Sequence, residues 1–220
     1  MRPRSLSSAV HVLAALALSG VVFAATPTAT TAQPEIEPGV QVGVTSTTHG
    51  GNPASPIVGR RRGLTAGVFA TVDFAGPFAL RPELNFTQKG TRYRDGGDQR
   101  APVRTFDLSY VELPVLASVE FSRWGRVTPV LFGGPALGLR VGTGEHRHDL
   151  DRRTVVSVVV GSGVDVRVGE GPLEALSIDA RYQMGVRRVP YRYTFGPNLP
   201  AFETGTFRNR GVVVTLGVSF

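Results

Sequence analysis

Eight stretches of alternating apolar and polar residues, connections that alternate short and long, and a leader of secretory type predict one architecture. It is an all-β fold: an eight-stranded antiparallel up-and-down transmembrane β-barrel preceded by an N-terminal signal peptide. The most explicit stretch is at the C-terminal end. Val212, Val214, Leu216, Val218 and Phe220 alternate with Gly211, Val213, Thr215, Gly217 and Ser219. A greasy face ending in an aromatic suits a strand that meets lipid, and Phe220 is expected to act as a C-terminal assembly signal for the outer-membrane barrel assembly machinery.

At the other end, Arg2 and Arg4 precede an apolar run from Ala9 to Ala25, broken only by His11 and Ser19-Gly20. The small residues Thr26 to Ala32 follow. This is the order of a cleaved signal peptide, and the apolar part is short for a membrane-spanning helix, which takes ~20 residues. Cleavage fits after Ala24 or after Ala32. The second, which is favoured, divides the chain into a leader at 1–32 and one barrel domain at 33–220.

Composition agrees with strands and turns. The 220 residues include 27 glycines and no cysteine, so no disulfide framework and no lipid-anchored cysteine is expected. Mean hydropathy is near zero, at +0.02, and no later apolar run approaches the length of a spanning helix. The formal charge of +7 becomes +5 once Arg2 and Arg4 are removed with the leader.

The alternating segments follow in order. The first, 39–45, places Val40, Val42 and Val44 on one face. In the second, 63–74, Leu64, Ala66, Val68, Ala70 and Val72 oppose Thr65, Gly67, Thr71 and Asp73. In the third, 78–89, Leu80, Pro82, Leu84 and Phe86 oppose Arg81, Glu83, Asn85, Thr87 and Lys89. Four large polar groups opposite a wholly apolar face suit a barrel whose polar side lines its lumen. The fourth, 106–121, sets Val111, Leu113, Val115, Ala117, Val119 and Phe121 against Tyr110, Glu112, Ser118 and Glu120. The fifth, 127–141, sets Leu131, Leu137, Leu139 and Val141 against Thr128 and Arg140. In the sixth, 154–168, valines at 156, 158, 160, 164, 166 and 168 oppose Ser157, Gly161, Gly163, Asp165 and Arg167. The seventh, 173–186, sets Leu176, Ile178, Ala180, Tyr182, Met184 and Val186 against Ser177, Asp179, Arg181 and Gln183. The eighth is the terminal segment, starting near Phe207. Short connections at 75–77, 122–126 and 169–172 alternate with long ones at 46–62, 90–105, 142–153 and 187–206. Outer-membrane barrels place short turns at the periplasmic rim and long loops outside. A soluble lipocalin-like barrel shares the meander but inverts the faces; the leader and the terminal aromatic favour the membrane.

Several segments resemble the PorT-type, porin-family outer-membrane barrels. Residues 80–90, LRPELNFTQKG, are similar to that family's "QPELxxSQKG" strand, and 108–116, LSYVELPVL, to its "YLEIPLL" strand. Residues 129–138, PVLFGGPALG, resemble "PYxxxGPxxG", 180–185, ARYQMG, resemble "xRYxxGL", and 211–220 resemble the closing strand. The resemblance implies a small single-domain barrel in the bacterial outer membrane, of the size of OmpX or the OmpA barrel. It implies no reaction.

An eight-stranded barrel encloses a space that side chains can fill. Arg81, Glu83, Lys89, Glu112, Glu120, Arg140, Asp165, Arg167, Asp179 and Arg181 form a mixed-sign set expected to close the lumen as an ion-pair network. A second concentration of charge, Arg60, Arg61, Arg62, Arg92, Arg94, Arg152, Arg153, Arg187 and Arg188, maps to the long connections as an extracellular anion-binding rim. Guanidinium groups bind phosphate and carboxylate as a fork, so lipopolysaccharide is the anticipated partner beside membrane lipid. The bland alternative is solvation, or pairing with Asp95, Asp98, Asp149 and Asp151. Phe74 and Trp124 fall at short turns and Tyr93, Tyr191, Tyr193 and Phe195 near the long connections, as interfacial aromatics would.

The expected role is structural or one of surface interaction, as a monomer, with a narrow solute channel as the alternative. A lipid A-modifying enzyme is the third reading, and it is disfavoured. Such chemistry calls for a His–Ser pair or its equivalent, and His49, His146 and His148 all fall in long connections. No cofactor is implied. The run Glu145 to Asp149 holds a His-x-His but suits an exposed loop equally well. A nucleic-acid partner is excluded by the compartment despite the sequence pI of 10.7.

Overall fold

The computed structural model describes residues 35–51, 57–74, 76–94, 100, 102–143, 154–169, 172–186, 189–193 and 202–220. The leader anticipated at 1–32 lies outside these. The described chain forms β1 (Ile36–Gly51), β2 (Ile57–Asp73), β3 (Phe78–Arg94), β4 (Val103–Glu120), β5 (Val127–Thr143), β6 (Thr154–Arg167), β7 (Ala175–Gly185), β8 (Val189–Tyr193) and β9 (Phe202–Ser219). Neighbours pair antiparallel in the order β1-β2-β3-β4-β5-β6-β7-β9, and β9 returns to β1. That last ladder runs from Gly39↔Ser219 to Gly51↔Phe207 and leaves the sheet without an edge. Short β8 pairs with β9 from Val189↔Phe207, beyond the point where β7 leaves it at Met184↔Arg210. The barrel therefore has eight staves, one of them made by β7 and then β8.

Side-chain direction settles which way the alternation points. On β7, Ser177, Asp179, Arg181 and Gln183 are buried while Leu176, Ile178, Tyr182 and Met184 are exposed. On β9, Thr215 is 3% exposed and its neighbour Leu216 is 57% exposed. The apolar residues named from the sequence thus form an outer belt, and the polar ones between the rims, among them Arg81, Glu83, Lys89, Glu112, Asp179 and Arg181, are enclosed. Water would not sustain such a belt; bilayer hydrocarbon does. Phe74, Phe78, Phe121, Trp124 and Phe220 are all exposed at the short-turn rim, where an aromatic girdle belongs. The side chains of Tyr93, Tyr191, Tyr193 and Phe195 lie outside the described residues.

Two expectations are corrected. The long connections are partly strand: the ladders of β1, β2, β3 and β4 continue past the apolar belt, so residues 46–51, 57–62, 90–94 and 103–105 belong to strands rather than loops. The 187–206 connection likewise contains β8 and the start of β9. Alternation of apolar residues stops where lipid stops, but backbone groups go on pairing because a neighbouring strand still offers partners. The lumen is also less polar than anticipated. Leu116, Val130, Phe132, Ala136 and Val159 make a buried apolar cluster on the inner walls of β4, β5 and β6, and Phe69 points inward from β2.

Small residues make room for these rings. A Cβ on Gly161 would lie 2.6 Å from the Phe132 ring and 2.5 Å from the Ala180 carbonyl oxygen. At the tight β4–β5 hairpin, closed by mutual backbone bonds between Trp124 and Val127, Gly125 supplies a φ of 66°. Substituting Gly161→Val is expected to overpack this site, at a cost of at least ~1–3 kcal/mol. Heat-modifiable migration of refolded protein in micelles should show a reduced folded fraction, with Gly142→Val, which faces only Ser109 at ordinary contact distance, close to wild type.

Candidate functional site: the filled lumen and the arginine rim

β3 and β7 lie diametrically opposite in the eight-stave order. Each sends two charges inward from positions two residues apart, a spacing that keeps both side chains on one face. Arg181 Nη1 donates to Glu83 Oε2 at 2.6 Å, and its Nη2 donates to Asp179 Oδ2 at 2.8 Å. Arg81 Nη1 stands 3.2 Å from Asp179 Oδ2, and its Nε is 3.2 Å from Glu83 Oε1 without the alignment of a hydrogen bond. Two cations and two anions, all nearly fully buried, cancel in a strut across the lumen. Amides complete it. Gln41 Nε2 donates to Glu83 and to Asn85 Oδ1, Gln41 Oε1 accepts from both arginines, and Asn85 Nδ2 donates to Glu83. The Phe69 ring lies 3.9 Å from the Arg81 guanidinium carbon, and Phe132 flanks Arg181 at 5.2 Å.

A second layer lies toward the long-connection end. Lys89 Nζ donates to Glu112 Oε1 at 2.6 Å and to Gln183 Oε1 at 2.7 Å. Gln183 Nε2 in turn donates to Glu112 and to Ser157 Oγ. This layer again joins β3 to β7, with β4 and β6 included. On its outer side a small open recess is lined by Thr47, Lys89, Ser157, Gln183, Asn209 and neighbouring residues. The two polar layers and the apolar cluster thus lie together in the barrel interior.

Of the ten residues expected to share one network, the structure brings together Arg81, Glu83, Asp179 and Arg181 in one group and Lys89 with Glu112 in another. Arg140 is half-buried opposite Tyr110 on the β4–β5 ladder. Glu120, Asp165 and Arg167 are a correction: among the described residues none of them enters an ion pair. They lie near the short-turn ends of β4 and β6, below the strut, and Arg167 is exposed. The bridging amides Gln41, Asn85 and Gln183 were not singled out by charge, and Phe69 broke the expected pattern of β2. Their inward parity is the one signal that could have found them.

The arginines distribute differently. Arg60, Arg61, Arg62, Arg92 and Arg94 sit on strands rather than in loops, which corrects their placement. Arg60, Arg62 and Arg92 are exposed; Arg61 pairs with Asp107, reaching past β3 where Gly90 is the partner of Asp107. The side chain of Arg94 and residues Arg152, Arg153, Arg187 and Arg188 lie outside the described residues, as do His146, His148 and the side chain of His49. Among the described residues no group of His, Asp and Glu is placed to hold a metal ion.

Residues 31–203 match the family described as outer membrane protein beta-barrel domain; the match is to the barrel domain in general and carries no PorT-type label. No curated protein matches in sequence. In structure the chain is similar to the outer membrane protein OprG from Pseudomonas aeruginosa, at 8% identity and a TM-score of 0.55, over 86% of this chain and 97% of OprG. It is also similar to the outer membrane protein AlkL, at 13% identity and a TM-score of 0.50, over 89% and 94%. At these identities the likeness concerns the fold.

Removing one partner of a buried pair leaves an uncompensated charge, at ~3–5 kcal/mol, whereas replacing both by apolar groups is far milder. Lys89→Met is therefore expected to lower the urea midpoint in vesicle-embedded protein sharply. Adding Glu112→Leu should recover part of that loss. A double variant as unstable as the sum of the single ones would show that the pair is not coupled.

Proposed function

Because the chain belongs to the outer membrane protein beta-barrel domain family, and so is a barrel of the bacterial outer membrane, we propose that it acts as a closed structural and surface-interaction protein rather than as a conduit. The observation that carries this reading is the cross-lumen strut. Arg81, Glu83, Asp179 and Arg181 occupy the interior between opposite staves, and the Lys89–Glu112–Gln183 layer occupies it a second time. A hydrated solute would have to displace both layers and strand buried charges, which low-dielectric surroundings penalise heavily.

The chemistry available for interaction is on the outer rim. Exposed Arg60 and Arg92 present guanidinium forks above the apolar belt, suited to the phosphates and carboxylates of lipopolysaccharide.

In planar bilayers the folded protein is expected to show no unitary currents; steady openings would overturn the closed reading in favour of a narrow channel. For the rim, vesicle-embedded Arg60→Gln/Arg92→Gln should retain severalfold less lipopolysaccharide with a phosphorylated core than wild type. Equal retention would remove the rim from the interaction.

A further inference from the structure

The closing seam of the barrel carries a second cationic feature, grouped around β1. Along the outer faces of β9, β1 and β2, one row reads Val214, Val44, Leu64, all exposed to the membrane. The next row reads Val212, Ser46, Arg62, and the row beyond pairs Arg210 with Thr48. Arg208 follows opposite Gly50. All three strands therefore change from apolar to cationic or hydroxyl-bearing within two rows, which marks the upper limit of the hydrocarbon. Arg62, Arg208 and Arg210 are exposed, and none of their guanidinium groups enters an ion pair among the described residues. The outward neighbours of β9 on β7 at this level are Tyr182 and Met184, so no carboxylate competes there.

From standard strand spacing, Arg62 and Arg210 stand roughly 12 Å apart on either side of β1, with Ser46 and Thr48 between them. Side chains of arginine length can meet over that strand. A group held there would receive two guanidinium forks from the sides and hydroxyl donors from beneath, while its attached chains continued down the apolar rows of Val44, Leu64 and Val214. Soluble anions lack such chains; a phosphorylated membrane glycolipid has both parts in the required order.

We propose that the outer wall at the β9–β1–β2 seam is a lateral binding site for the phosphate of an outer-leaflet glycolipid of the lipid A type, gripped by Arg62 and Arg210 with Arg208 above. This rests on the lipopolysaccharide reading but assigns the phosphate to the pair that flanks β1; Arg60, the next outward position after Arg62 on β2, and Arg92 on β3 lie on the side away from β9. It also places the ligand across the ladder that closes the barrel, so occupancy would brace the seam.

The test uses full-length barrel folded in phosphatidylcholine vesicles doped with diphosphoryl lipid A, which lacks the sugar core that the rim would contact. Native mass spectrometry of the extracted protein counts retained lipid A. Wild type is expected to retain it in preference to dephosphorylated lipid A. Arg62→Gln/Arg210→Gln should lose about tenfold of that retention, Arg62→Lys/Arg210→Lys should lose less, and Arg60→Gln/Arg92→Gln should stay within about twofold of wild type. Heat-modifiable migration confirms that each variant is folded, and the lysine variant keeps the charge if the glutamine variant fails to assemble. Retention by the folded glutamine variant equal to wild type overturns the wall site, as does loss on replacing Arg60 and Arg92 alone, which would leave the rim reading standing. Absence of any preference for phosphorylated lipid A in wild type overturns the wall site as well. The rim reading then stands or falls separately, on retention of core-bearing lipopolysaccharide.

Discussion

A backbone that crosses hydrocarbon must satisfy every N–H and C=O within itself, and that constraint governs the rest of this molecule. An open sheet would leave one edge unpaired in lipid. The β1–β9 ladder removes the edge, with Phe220 N–H donating to Pro38 O at its lower end. Closure at eight staves then fixes the interior as a narrow space lined by alternate residues. Those residues cannot be lipid-facing, so they carry the polar half of each strand, and charges enclosed there have to find partners. The strut between β3 and β7 is thus a consequence of closing a small barrel.

The lumen meets this demand unevenly. On the β1, β3 and β7 side it is filled by charges and amides, whereas on the β4, β5 and β6 side it is filled by Leu116, Phe132, Val159 and their neighbours. Phe69 on β2 and Phe132 in the apolar cluster each have a guanidinium group against the ring. Such contacts let a charged layer adjoin an apolar one without an unfilled gap. Ionic and amide bonds brace opposite staves, and apolar side chains pack on the β4, β5 and β6 side.

Much of this was legible in the residue order. β7 could be read almost completely, because five outward apolar residues alternate with four inward polar ones without a break. The inward pairs Arg81/Glu83 and Asp179/Arg181 were also visible as same-face neighbours two residues apart. What could not be read was which strands face each other across the lumen, so Glu120, Asp165 and Arg167 were grouped with charges that lie above them. Strand ends were equally obscure. Once β2 passes Leu64 toward Arg60 it no longer faces hydrocarbon, apolar alternation ceases, and only its pairing, with β1 as far as Arg61 and with β3 beyond, reveals that the strand continues to Ile57. The wall position of Arg208 and Arg210 depends on the same register, which no local pattern specifies.

The direction of the two faces is the claim on which all else rests, and the absence of native cysteine allows it to be measured cleanly. Nitroxide labels attached to Leu216→Cys and Thr215→Cys in lipid vesicles can be compared by their collision rates with oxygen and with a water-soluble nickel chelate. The account predicts oxygen-dominated relaxation at 216 and a label at 215 shielded from lipid. The opposite assignment, with 215 open to the hydrocarbon and 216 enclosed, would contradict it.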